Sequence, residues 1–150
     1  GTSWTEVADL NTARRYANSG GATNTAALCM GGNTSNPGSS ATANSETWDG
    51  TSWTEGNNIT TARFNSGSGG PSTAAIFFGG NVPPGSAKAE TYNGTSWTEV
   101  ADLATARSDL AGTASGTTSA LAIGGGVAPI ALQAAEEFSV PNATKTFTAS

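Results

Sequence analysis

The sequence predicts an all-β chain in which one four-stranded antiparallel unit is repeated three times across 150 residues. Three observations predict it. The phrase Gly-Thr-Ser-Trp-Thr-Glu recurs at 1–6, 50–55 and 94–99. Each copy holds a short apolar run closed by a diglycine. The composition, with 20 Gly, 11% charged residues and an excess of Thr, Ser, Asn and Ala, favours short strands and many turns over long helices.

The landmarks stay in register. Trp4, Trp53 and Trp97 are 49 and 44 residues apart, and ten residues after each stands an arginine, Arg14, Arg63 and Arg107. After a further 16 or 17 residues come Gly31-Gly32, Gly79-Gly80 and Gly124-Gly125. A loop of variable length leads to Glu46-Thr47-Trp48, Glu90-Thr91-Tyr92 and Glu136-Glu137-Phe138. The segment after each Arg, such as Arg15 to Ser19, reads as a first strand. The run 25–30 reads as a second strand, apolar on both faces like one sandwiched between neighbours. Glu46 to Trp48 reads as a third strand and Thr51 to Glu55 as a fourth. Asp49-Gly50 and Asn93-Gly94 between them fit a two-residue type I′ turn, with φ > 0 at both positions. Four antiparallel strands in roughly 45–50 residues make one blade of a β-propeller. The units run over about 11–57, 58–103 and 104–150, with 1–10 as an orphan fourth strand.

An opening Arg, an apolar strand ending in Gly-Gly, an aromatic near a turn and a Trp shortly after it together resemble the kelch repeat, over essentially the whole chain. The resemblance implies kelch-like propeller blades. Two departures stand out: no His follows the Arg, and the third copy has Phe147 where the others have Trp. The Asn/Thr/Gly-rich wording and the ending Thr-Lys-Thr-Phe-Thr-Ala-Ser also resemble repeat proteins of tailed bacteriophages.

Propellers close with about four to eight blades, so three need neighbours. Either the chain is part of a longer propeller, or two chains make a six-bladed ring. In the first case residues 1–7 belong to a preceding blade. In the second, residues 2–7 of one chain complete the last blade of the other, and 143–150 are spare; otherwise Lys145 to Ala149 are the chain's own fourth strand.

Composition excludes several functions. The net charge is −5, from six basic and eleven acidic residues with no basic stripe, so nucleic acid is not an expected partner. Apolar runs reach only about five residues, too short for membrane insertion, and no secretory leader is visible. The chain has no His, which removes Ser-His-Asp triads, His-based acid–base chemistry and His-ligated metals. Its one cysteine, Cys29, reads as a small buried hydrophobe. No cofactor or metal is expected.

Motifs that invite chemistry have simpler readings. Arg14, Arg63 and Arg107 together suggest a sialidase-like carboxylate clamp, but they share one slot in each repeat and find natural partners in Glu46, Glu90 and Glu136. Tyr16 and Tyr92 have no placed carboxylate for a sialidase nucleophile. Asp49-Gly50-Thr51-Ser52-Trp53 is one residue short of an Asp-box. Kelch copper oxidases need His ligands absent here. The diglycines lack the Lys-Ser/Thr of a phosphate loop, and N-x-S/T sequons at Asn33, Asn58, Asn93 and Asn142 are what such a composition supplies by chance.

Binding is expected on the loops between second and third strands, 33–45, 81–89 and 126–135, where a fixed frame presents variable segments. Asn33, Thr34, Ser35 and Asn36 in the first loop suit hydrogen bonding to sugars, Asn81, Pro83, Pro84 and Lys88 line the second, and Ile130 and Leu132 in the third suit a protein contact. The leading expectation is a non-enzymatic propeller on a virion or extracellular surface, for attachment to a glycan or receptor protein, or for assembly. A kelch-type intracellular adaptor is the alternative, and a glycan-active enzyme the third.

Overall fold

The computed structural model describes residues 2–35 and 40–141. The described residues contain thirteen strands and no helix. The first sheet has the order β1-β2-β3-β4, from Asn18–Thr23, Ala26–Met30, Ser45–Trp48 and Trp53–Glu55. The second repeats it as β5-β6-β7-β8, from Gly67–Gly69, Ile76–Phe78, Ala89–Tyr92 and Trp97–Val100. In the third, β10 (Ser119–Ile123) lies between β9 (Ala111–Gly116) and β13 (Ala135–Ser139). All pairings within these sheets are antiparallel. The fold is therefore all-β and propeller-like, with each sheet forming one blade.

The core lies between sheets. Leu28 and Met30 from the second strand of sheet one meet Ala75, Phe77, Tyr92 and Trp97 of sheet two, with Ile59 from the linker. Ile76 and Phe78 on the opposite side of β6 meet Leu110, Ala120 and Ala122 of sheet three. The middle strand thus buries both faces, which is why 76–78 is a continuous apolar run. The diglycines make a close approach possible. A Cβ at Gly31, whose φ is +61°, would stand 2.5 Å from the Arg63 carbonyl oxygen of the next sheet. The following Gly32 amide donates to that same oxygen at 3.0 Å, stitching one blade to the next.

Four expectations change. The continuous first strand begins at Asn18 rather than Arg15, because Tyr16 takes φ +54° and separates an isolated bridge between Arg15 and Asn33 from the ladder that follows. The Asp49-Gly50 turn is a four-residue loop, with Trp48 opposite Trp53 and only Gly50 of the pair at positive φ. Asp49 Oδ1 accepts from the Thr51 and Ser52 amides at 2.7 and 2.8 Å, so the side chain supplies the turn's hydrogen bonds and removes the need for a type I′ backbone. These amides hold the Asp49 carboxyl below its ordinary range. Asn93 Oδ1 accepts from Thr95 and Ser96 in the same way, which explains why Asp and Asn interchange here. The loop 126–135 contains a small hairpin, Gly126–Val127 (β11) with Ile130–Ala131 (β12). Residues 2–10 form no strand. Asn36, Asn142, Phe147 and the candidate strand 145–149 lie outside the described residues.

Candidate binding face

The three arginines serve the frame. Arg14 pairs with Glu46, Arg63 with Glu90 at 2.6 Å, and Arg107 with Glu136. Each also donates to backbone carbonyls, Arg14 to Asn44 at 2.8 Å, Arg63 to Phe77 at 3.3 Å and Arg107 to Ala134 at 2.9 Å. The arginine side chains are fully buried, so no clamp faces solvent. Burial pulls the Arg63 guanidinium below its ordinary value, and the Glu90 charge opposes that shift. The Glu carboxylates also accept amides from the incoming linker: Asn11 to Glu46, Thr60 to Glu90 and Ala104 to Glu136 at 2.7, 2.7 and 2.6 Å. The Arg–Glu pair thus anchors the point where the chain enters each sheet. Cys29 is buried, and desolvation pushes its thiol up, away from the reactive thiolate.

The residues after each Arg gather at one end of the sheets. Tyr16, Asn65 and Asp109 occupy equivalent positions, and all three have φ of 54–56°. They form a ladder: the Asn65 amide donates to the Tyr16 carbonyl at 3.2 Å, and the Asp109 amide to the Asn65 carbonyl at 2.8 Å. Asn65 Nδ2 donates to Asp109 Oδ1 at 2.6 Å. Arg15 lies over the Tyr16 ring, 5.2 Å from its centroid, and Tyr16 stacks on Phe64. Non-glycine residues with positive φ mark positions the surroundings must hold in place. The sequence signal for this row was weak, because Tyr, Asn and Asp share no chemistry. Their common distance from the repeat's Arg was the usable cue.

The loops lie at this same end. Bridges join Arg15 to Asn33, Phe64 to Asn81 and Ser108 to Gly126, so each loop leaves its sheet beside one rung of the ladder. The second and third loops approach one another at Gly85 and Val127. Here the expected binding residues separate. Asn33 is 3% exposed, and its Oδ1 accepts from the Ser35 amide at 2.9 Å, so it shapes its own loop. Thr34 is exposed and Ser35 half-buried, and both bond across the loop to Ser40. The Asn81 backbone N–H donates to the Phe64 carbonyl at 2.6 Å, while Pro83 and Pro84 are exposed. Lys88 pairs with Glu99 at 2.6 Å on the surface. Ile130 and Leu132 join Asp109, Gly125 and Gly126 in lining an open groove of about 430 Å³. Asp109 is the one ionisable residue lining it, and Ile130 is 65% exposed at its lip.

No protein-family model matches the chain, and no curated protein sequence matches it. Among solved structures it is similar to that described as "Structure of YjhT", with a TM-score of 0.74 and 16% identity. The match covers 89% of this chain and 45% of that one, so the chain spans about half the neighbour's length. At this identity the likeness concerns the fold.

Proposed function

We propose that the chain is a non-enzymatic binding module, a set of kelch-like propeller blades on a virion or extracellular surface, that uses the loop end to hold a hydroxyl-rich ligand such as a surface glycan. The groove joining Asp109 to the third loop carries the reading. Its lone carboxylate is held by Asn65 at Oδ1 and by Ser108 at Oδ2, which leaves a further lone pair on each oxygen to accept a sugar hydroxyl, and Ile130 and Pro129 offer an apolar surface to a sugar's C–H face. Glycoside hydrolysis ordinarily calls for two carboxylates across the bond, and one supports holding rather than cleaving. The Asn- and Thr-rich composition and low charge fit the phage-like resemblance.

A glycan array, followed by a hydrolysis assay on every hit, tests this. Binding without turnover is expected. Asp109→Ala should weaken it about 10- to 100-fold, as for one hydrogen bond to a charged group, and Ile130→Ser should weaken it less. Turnover of a bound glycan would overturn the non-enzymatic reading. The exposed Ile130 favours one second reading, a protein-interaction adaptor; capture of a protein receptor, lost in Ile130→Ser and kept in Asp109→Ala, would select it.

A further inference from the structure

Residues 1–10 and 94–103 are letter for letter the same decamer, Gly-Thr-Ser-Trp-Thr-Glu-Val-Ala-Asp-Leu. The two copies meet opposite fates. At 94–103 the decamer forms β8, pairs with β7 and buries Trp97 to 8% exposure, stacked on Tyr92 with centroids 4.9 Å apart. At 2–10 it pairs with nothing among the described residues, and Trp4 is 103% and Val7 64% exposed.

Among the described residues the third sheet has the complementary gap. β3 and β7 are covered on their outer edges by β4 and β8, whereas β13 has no outer partner among the described residues. Beside that edge, between sheets two and three, is a cavity of about 240 Å³. Register identifies it. Trp97 sits against Leu28, Met30, Ile59 and Tyr92 at the first inter-sheet junction. The equivalent residues at the second are Ile76, Phe78, Leu103 and Phe138, and all four line the cavity. The cavity is the place where a repeat tryptophan belongs.

The free faces agree. Leu121 and Ile123 correspond in register to Leu28 and Met30, which are fully buried under the next sheet. They are themselves 36% and 43% exposed. Asn11, bonded to Glu46 where sheet one begins, holds the place that Thr60 and Ala104 hold after β4 and β8. The decamer before it therefore belongs to the outer edge of the sheet preceding sheet one.

We propose that this sheet is the third sheet of a second copy of the chain. Residues 2–10 of each copy add antiparallel to β13 of the other, seat Trp4 in the cavity against Phe138, and close a six-bladed ring with two-fold symmetry. Two swapped strands satisfy both edges at once, and six blades lie in the range in which propellers close.

Register fixes the test. Tyr92 opposes Trp97 and Thr91 opposes Thr98, so Trp4 should oppose Phe138 and Thr5 should oppose Glu137. Chains carrying Thr5→Cys, mixed with chains carrying Glu137→Cys and mildly oxidised, should form a disulfide-linked pair containing one of each. Light scattering behind size exclusion should give twice the 14.8 kDa chain mass for the native protein. Trp4→Ala should lose that mass, Trp4→Phe should keep it, and Phe147→Ala should keep it. A folded native monomer, a Trp4→Ala variant that stays paired, or a disulfide closed within one chain when Thr5→Cys and Glu137→Cys are placed together on it would overturn the proposal. So would a two-chain mass lost in Phe147→Ala and kept in Trp4→Ala, which would make the chain's own C-terminal residues the missing strand.

Discussion

Arg63 and Glu90 are both fully buried, and they bond one another as well as backbone groups on either side. Two charges taken out of water repay their desolvation only while both are present. Glu90→Gln leaves the Arg63 charge among Phe77 and backbone carbonyls, and should lower the unfolding free energy by about 3–5 kcal/mol. Lys88→Ala breaks a pair whose side chains are 43% and 51% exposed, and should leave the urea midpoint almost unchanged. Equal effects of the two substitutions would mean the buried pair is not what anchors the linker. The pairing itself could be read from the sequence, since Arg and Glu recur in fixed slots. The ladder of Tyr16, Asn65 and Asp109 could not. Asn and Asp tolerate the left-handed region, but a tyrosine there is held by neighbours, and neighbours are not written in local sequence.

At the level of elements, the first strands of successive sheets lie so close that particular positions leave no room for a Cβ. A Cβ on Gly69 in β5 would stand 2.4 Å from the Ala114 nitrogen in β9, a backbone atom that cannot swing aside. Gly112 faces the Ser68 nitrogen across the same junction, at 2.7 Å. Gly69→Ala should therefore force the second and third sheets apart, costing about 1–3 kcal/mol as overpacking does. Gly116→Ala places its new carbon 3.7 Å from the nearest heavy atom and should be neutral or slightly stabilising. Urea titrations of both variants check this, and equal destabilisation would show that strand flexibility, not the inter-sheet gap, requires glycine. Strand order and most strand positions followed from the repeat, because apolar runs and turns recur at matching intervals. The turn geometry did not: Asp-Gly is compatible with two kinds of loop, and the side-chain bonds to Thr51 and Ser52 decide between them. The hairpin in 126–131 escaped notice because Gly-Val and Ile-Ala are too short to show alternation.

For the whole molecule, the repeat count was legible and the closure only partly so, since three units require neighbours but do not say whose. The decamer identity narrows that choice, and stability offers an independent check on it. A ring made of two chains unfolds to two free chains, so mass action favours the ring as concentration rises. Each tenfold increase should add about 1.4 kcal/mol per ring, seen as a rising thermal midpoint. A single chain that buries its own faces would unfold at one temperature whatever the concentration. Trp4→Ala removes the side chain that fills the cavity beside Phe138, so its midpoint should be lower and independent of concentration. Ile123→Ser provides the complementary test, because Ile123 lies on the face that the partner's first sheet would cover rather than on the swapped strand. It should flatten the concentration dependence while leaving residues 2–10 untouched. If Trp4→Ala flattens the curve and Ile123→Ser does not, strand exchange holds the ring and the sheet faces only meet. If both flatten it, closure depends on strand and face together, as it does between the first two sheets, where Trp97 and Leu28 share one core.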